Sequence, residues 1–167
     1  MKRIAVFITA FTCLVGAAEF GHAGTAPANL TVSATIPGSC SIATTPVAFG
    51  SLPSVGSAFA DGAVSVNCAV GQAYTVTLSG GGAPSQGFRW MTAGGLVGAS
   101  YALYKDLALT QIWGDSGFAG TFPTGTGLAG VGTGAAQAIT IHGAGGIKAG
   151  GAPPGNYTDT VVATVNF

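Results

Sequence analysis

An all-β fold in one domain, a sandwich or a small barrel, is what this sequence predicts, and three observations carry the prediction. Several segments alternate apolar and polar residues with period two. No window of about 11 residues holds a 3.6-residue period with helix caps. Clusters of Gly, Pro, Asn and Asp separate the alternating runs at the short intervals typical of sandwiches and barrels. Gly 29 in 167 residues is about two and a half times the usual share. No G-X-Y period runs through the chain and 48% of its residues are hydrophobic, which excludes both collagen and plain disorder.

The elements follow in order. Met1-Lys2-Arg3, the apolar run from Ile4 to Ala18 and the small-x-small Gly21-His22-Ala23 read as a secretory signal peptide over residues 1–23, too short in its apolar part for a bilayer span. Residues 29–36 alternate strictly, with Leu30, Val32, Ala34 and Ile36 on one face and Thr31, Ser33 and Thr35 on the other, until Pro37-Gly38 ends the run. Cys40-Ser41-Ile42 starts a short strand that leads to Val47-Ala48-Phe49. Asp61-Gly62 reads as a turn before Val64, Val66 and Cys68. Tyr74, Val76 and Leu78 share a face until three glycines break the run. Arg89-Trp90-Met91, Tyr101 to Tyr104, Ile112-Trp113 and Ala138 to His142 are further strands, with Lys105-Asp106 as a turn. Residues 114–134, with eight glycines in 21 positions, and residues 143–155 read as loops or a bulged edge. The chain finishes on a strand that turns Val161, Ala163, Val165 and Phe167 to one side.

Composition removes whole classes of function. Charged residues are 6% of the chain where about 25% is usual, and Lys+Arg 5 against Asp+Glu 5 leave no net charge. Five cations cannot neutralise a phosphate backbone, so nucleic acid is excluded as a partner. Removal of the signal, with Cys13 inside it, leaves Cys40 and Cys68, an even pair that reads as a disulfide in an oxidising compartment. A metal or redox role lacks support, because no C-x-x-C occurs and His142 is then the one remaining histidine. No P-loop, H-E-x-x-H or G-x-S-x-G is present. His142 lies on an alternating strand and reads as a surface residue, and Asp61, Asp106, Asp115 and Asp159 sit in turn-like contexts where a carboxylate bonds its own backbone. No catalysis, cofactor or metal is expected. Trp90, Trp113, Tyr101 and Tyr104 could build an aromatic sugar platform, but packing is the preferred reading.

The spacing Cys40-x-Ile42, Phe49-Gly50, Val66-Asn67-Cys68, then Arg89-x-Met91, Tyr101-x-Leu103-Tyr104-x-Asp106, Ile112-Trp113-Gly114-Asp115, Ile141-His142-Gly143 and the closing Gly155-Asn156-Tyr157-Thr158-Asp159-Thr160 run resembles the spore coat protein U domain family. Within it, the resemblance is to the pilin subunits of Csu-type archaic chaperone-usher pili, and it covers residues 38–167. His142 departs from the Tyr usual before that Gly, and the 114–134 stretch is more apolar than expected.

The resemblance implies an incomplete immunoglobulin-like β-sandwich completed by a donated strand. Its groove would be filled first by a periplasmic pilus chaperone and then, past an outer-membrane usher, by a neighbouring pilin subunit. On that reading residues 24–37 are a donor-strand segment, with Leu30, Val32, Ala34 and Ile36 entering the neighbour's groove. Val161, Ala163, Val165 and Phe167 would form the groove's C-terminal edge strand. The product is expected at the cell surface, in fibres for adhesion and biofilm formation. Three alternatives stay open. Residues 29–36 could be the first strand of an ordinary complete sandwich. The chain could be a tip-located or secreted carbohydrate-binding module, although a tip adhesin would be expected to carry two domains. It could be a small outer-membrane barrel, to which the missing lumen charges are ill suited.

Overall fold

The computed structural model describes residues 24–84, 88–115 and 126–167. These fall into two units, Met1–Thr35, described from residue 24, and Ile36–Phe167. The signal peptide expected over residues 1–23 lies outside the described residues.

In the first unit residues 24–35 form neither helix nor strand, and Leu30, Val32 and Ala34 are exposed, as is Ile36 just beyond. Their alternation predicts a strand, and the structure corrects that. Period two supplies a face, but a strand exists only where a neighbour offers its N–H and C=O groups, and among the described residues none pairs with this run.

Among its described residues the second unit has eight strands: β1 Cys40–Thr45, β2 Ala58–Cys68, β3 Ala73–Leu78, β4 Arg89–Ala93, β5 Leu96–Tyr104, β6 Leu128–Val131, β7 Gln137–Ile147 and β8 Ala163–Asn166. They make a five-stranded sheet in the order β1-β2-β7-β5-β4 and a three-stranded sheet in the order β6-β3-β8. Every pairing within the sheets is antiparallel. Neither sheet closes on itself among the described residues, so the architecture is a sandwich and not a barrel. The alternating residues read from the sequence meet between the sheets: Val64, Val66 and Cys68 from β2, Tyr74, Val76 and Leu78 from β3, Tyr101 and Leu103 from β5, and Ile141 from β7, with Trp113 among them.

Two expectations fail for one shared reason. Asp61-Gly62 is no turn, and residues 143–147 are no loop: β2 and β7 run as 11-residue strands straight through them. The two stretches pair with each other, Ala60 with Gly143 and Asp61 with His142. The chain leaving β1 crosses this part of the sheet, and a Cβ on Gly62 or Gly143 would stand 2.7 Å from the Val47 side chain. Glycine is there to admit a second layer of backbone and not to bend the first. The glycine-rich stretch likewise ends in an edge strand, β6, while residues 116–125 lie outside the described residues. Lys105-Asp106 does turn, the Asp106 carboxylate accepting from the N–H groups of Thr110 and Gln111.

Candidate functional site

β1 and β8 are the outer strands of the two sheets on one flank of the sandwich. Among the described residues β1 pairs with β2 alone and β8 with β3 alone, and no ladder joins them across the gap. Such edges present unpaired N–H and C=O groups to any extended chain. At the end of the gap a cavity of about 270 Å³ remains, with Thr44, Thr45, Phe49, Asp159, Thr160 and Val161 among its lining. Leu78, Tyr101, Leu103 and Ile141 of the core reach into it.

One rim is built from β1 and its continuation. The Cys40–Cys68 disulfide joins residues that face each other in the β1–β2 ladder, which ties the edge strand down where it begins. Beyond Thr45 the chain crosses the glycines of β2 and β7 and lays the Phe49 ring against Tyr101, centroids 6.0 Å apart.

The other rim is the approach to β8. The Tyr157 ring lies on Gly98. Thr158 pairs with Thr92 of β4 through bonds of 2.9 and 3.0 Å. The Asp159 carboxylate accepts from Tyr101 Oη at 2.5 Å, from the Gly82 N–H at 2.7 Å and from the Thr160 N–H at 2.8 Å. After this anchorage on the five-stranded sheet the chain passes to the three-stranded sheet. Val161, Ala163 and Val165 are half-buried against the core, as their alternation predicts. Phe167 lies beyond the last residue of β8 and is 60% exposed, so it does not join them.

The electrostatics centre on Arg89, which the sequence places on a strand without marking it as buried. Arg89 is fully buried, donating from Nε to the Ser79 carbonyl at 2.8 Å and from Nη2 to those of Leu78 and Trp113 at 3.1 and 2.8 Å. Burial lowers its pKa to about 10, against the opposing pull of Tyr101, Asp115 and Asp159. Burial first, then the bond to Asp159, pushes the Tyr101 phenol well above its ordinary value. Asp159, read from the sequence as a turn residue, is therefore a long-range anchor. Asp61 is also no turn residue, since its Oδ1 lies 2.9 Å from His142 Nδ1. Trp113 and Tyr101 are core residues, and Trp113 Nε1 donates to the Val76 carbonyl at 2.9 Å. The four-ring sugar platform does not form.

The geometry offers strand edges and a cavity that reaches apolar core side chains between polar rims, which suits the addition of an extended segment. The family described as Spore Coat Protein U domain matches residues 26–164, a span that includes most of the N-terminal segment. Protein U of Myxococcus xanthus is 30% identical over 189 aligned positions that take in the whole of both chains. Among solved structures, the CsuC–CsuE chaperone–tip adhesion subunit pre-assembly complex from the archaic chaperone-usher Csu pili of Acinetobacter baumannii matches with a TM-score of 0.54 and 21% identity. That match covers 80% of this chain and 40% of the other.

Proposed function

The chain belongs to the spore coat protein U domain family, and from that premise we propose that it is a structural subunit of a surface fibre of the chaperone-usher kind. Subunits join by strand donation, and no chemistry is catalysed. The observation behind this reading is the flank where, among the described residues, β1 and β8 both lack a second partner beside a cavity that opens onto the core side chains Leu78, Leu103 and Ile141, in a chain that also carries an alternating segment at residues 29–36 with no strand partner among the described residues. In the assembled fibre, residues 24–37 of one subunit lie in the groove of the domain 38–167 of the next. Leu30, Val32, Ala34 and Ile36 face the core, and Ala163 and Val165 of β8, with Val161 just before it, lie alongside. Before assembly a periplasmic chaperone covers the same groove, and an outer-membrane usher passes the subunit outward to fibres that serve adhesion and biofilm formation. The fold likeness to a chaperone-bound Csu subunit supports the choice of partners.

The test is a denaturing gel of surface material run without boiling. A regular ladder of multimers that collapses to monomer on boiling is expected, and a lone monomer band before boiling would end the strand-donation reading. A second reading, a subunit of a spore coat rather than of a pilus, is favoured by the full-length match to Protein U. Immunolabelling of intact cells separates the two by placing the chain on thin fibres or in a continuous shell.

A further inference from the structure

Tyr101 is placed unlike any other core residue described. It stands on β5, between β7 and the edge strand β4 of the five-stranded sheet, with its ring and its hydroxyl engaged on opposite rims of the groove. The ring meets Phe49, which belongs to the continuation of β1. The hydroxyl holds Asp159, which belongs to the approach to β8. Both contacts fall among the residues lining the cavity. The neighbourhood of Asp159 fits one position of its carboxylate. Gly81 has φ +79°, and a Cβ there would stand 2.0 Å from Asp159 Oδ2, so only glycine lets the 81–82 loop close over the carboxylate and the Gly82 N–H reach it. Tyr157 on Gly98 and Thr158 against Thr92 fasten the two residues before it.

We infer that Tyr101 is the positioning residue of the groove, a spacer that fixes the β8 rim through Asp159 and the β1 rim through Phe49 and so sets the distance between them. A strand edge is useful to an incoming segment only if the opposite rim stands where the segment's alternate side chains can reach the core. Two loosely held rims would close over the Leu78, Leu103 and Ile141 side chains that reach into the cavity, because burying that surface is favourable. The phenol–carboxylate bond holds them apart before any segment arrives, and a preorganised site spends less of its binding energy on ordering. This spacing role deepens the strand-donation reading and rests on it for its purpose, although the spacing itself does not depend on assembly.

The experiment uses the full exported chain. Spin labels are attached through noncanonical residues at Thr44 and Thr160, exposed positions on the two rims, and labelled chain is diluted into unlabelled chain so that each measured pair lies within one subunit. The wild type is expected to give a single narrow distance. Tyr101→Phe, which keeps the ring, and Gly81→Ala, which displaces the carboxylate, are both expected to broaden and shorten it. Leu128→Ala, on the far edge strand of the other sheet, lowers core packing without touching the rims and should leave the distance unchanged. That separates positioning from general destabilisation. In the unboiled-gel assay, Tyr101→Phe multimers should come apart at least roughly tenfold faster than Leu128→Ala multimers. A wild-type distance distribution in both rim variants overturns the inference, as does equal broadening in Leu128→Ala. A wild-type chain that forms no multimers removes the fibre reading, and the distance measurement then still decides the spacer.

Discussion

Two segments of this chain share a pattern and have opposite fates. In β3, Tyr74, Val76 and Leu78 alternate with polar neighbours and are 5%, 0% and 1% exposed; in residues 29–36, Leu30, Val32 and Ile36 alternate as cleanly and are 88%, 84% and 90% exposed. β3 has β6 on one side and β8 on the other, whereas residues 29–36 have no strand on either side among the described residues. Alternation thus encodes a face, and burial of that face depends on ladder partners the segment itself does not specify. The widest break of the comparison is a charge on each face. Val76→Asp loses roughly 1.5 to 3 kcal/mol of burial and must also desolvate a carboxylate in a filled core, against a typical total stability of about 5 to 15 kcal/mol. No protease-resistant subunit is expected. Val32→Asp should leave a folded, chaperone-bound subunit and abolish the multimer ladder, while Thr31→Asp and Ser33→Asp on the other face stay mild. Should Val32→Asp abolish folding as Val76→Asp does, residues 29–36 are an internal strand of an ordinary sandwich.

The disulfide sharpens the comparison from the side of the open flank. It closes a loop of 28 residues, worth about 3 to 4 kcal/mol in the chain-entropy account. Because Cys40 opens the only ladder β1 has among the described residues, the loss in Cys40→Ser or Cys68→Ser should fall unevenly. Amide exchange should accelerate first in β1, while the β3 amides, held on both sides, keep their protection until global unfolding. The intact exported wild-type chain should weigh two hydrogen atoms less than its reduced form. Uniform loss of protection across β1 and β3 would show that the flank is no weaker than the centre.

How far the sequence spoke follows the same line. β3, the second half of β2, the end of β5 and the start of β7 are legible because their side chains alternate and their partners are of the common kind. The first half of β2 and the second half of β7 are not, because Gly62, Gly143 and Gly145 carry the signature of a turn while serving close packing under Val47 and Phe49. The cysteine pair is legible by count alone. Asp159 is misread since its partner Tyr101 lies 58 residues away, and a carboxylate beside Thr looks the same whether it bonds its own backbone or another strand. Arg89 left one usable trace, an arginine among apolar residues in a chain with almost no charge, and its three carbonyl partners could not be guessed.

Tyr101 gives the next smaller effect. Removing its bond to a carboxylate by Tyr101→Phe should cost about 1.5 to 3 kcal/mol, and the pH dependence has a definite sign. The folded phenol is raised above its ordinary pKa of 10, so its contribution is fully present below that pH and is lost as the pH rises beyond it. Buried Arg89, lowered to about 10 from 12.5, acts in the opposite sense: its penalty is complete below pH 10 and is relieved across that window. Tyr101→Phe removes the falling contribution and leaves the rising one, so the variant should lose less stability than the wild type when denaturant melts are repeated above pH 10. In an ultraviolet titration the folded wild type should hold back the Tyr101 phenol until it unfolds, a step the variant lacks. Equal alkaline slopes in the two proteins would mean that the Tyr101 hydroxyl is not held by the fold.

The smallest effect belongs to Asp61, which also bonds across strands. Asp61 faces His142 on the outside of the five-stranded sheet, registered directly opposite it, with 61% of its side chain exposed. Geometrically the two aspartates look alike, each holding a partner far off in sequence at hydrogen-bond distance. Physically they differ: water competes for Asp61 and salt screens it, and such pairs are worth about 0 to 1 kcal/mol. Asp159 holds a buried phenol in a cradle of backbone N–H groups. Asp61→Asn should therefore shift the denaturation midpoint by no more than about 0.5 kcal/mol, and raising the salt concentration should shrink even that. The multimer ladder should be unchanged, since the pair touches neither rim of the groove. A loss comparable to that of Tyr101→Phe would mean that the outer face of the large sheet is covered in the assembled protein, and that the flank between β1 and β8 is not the one surface through which subunits meet.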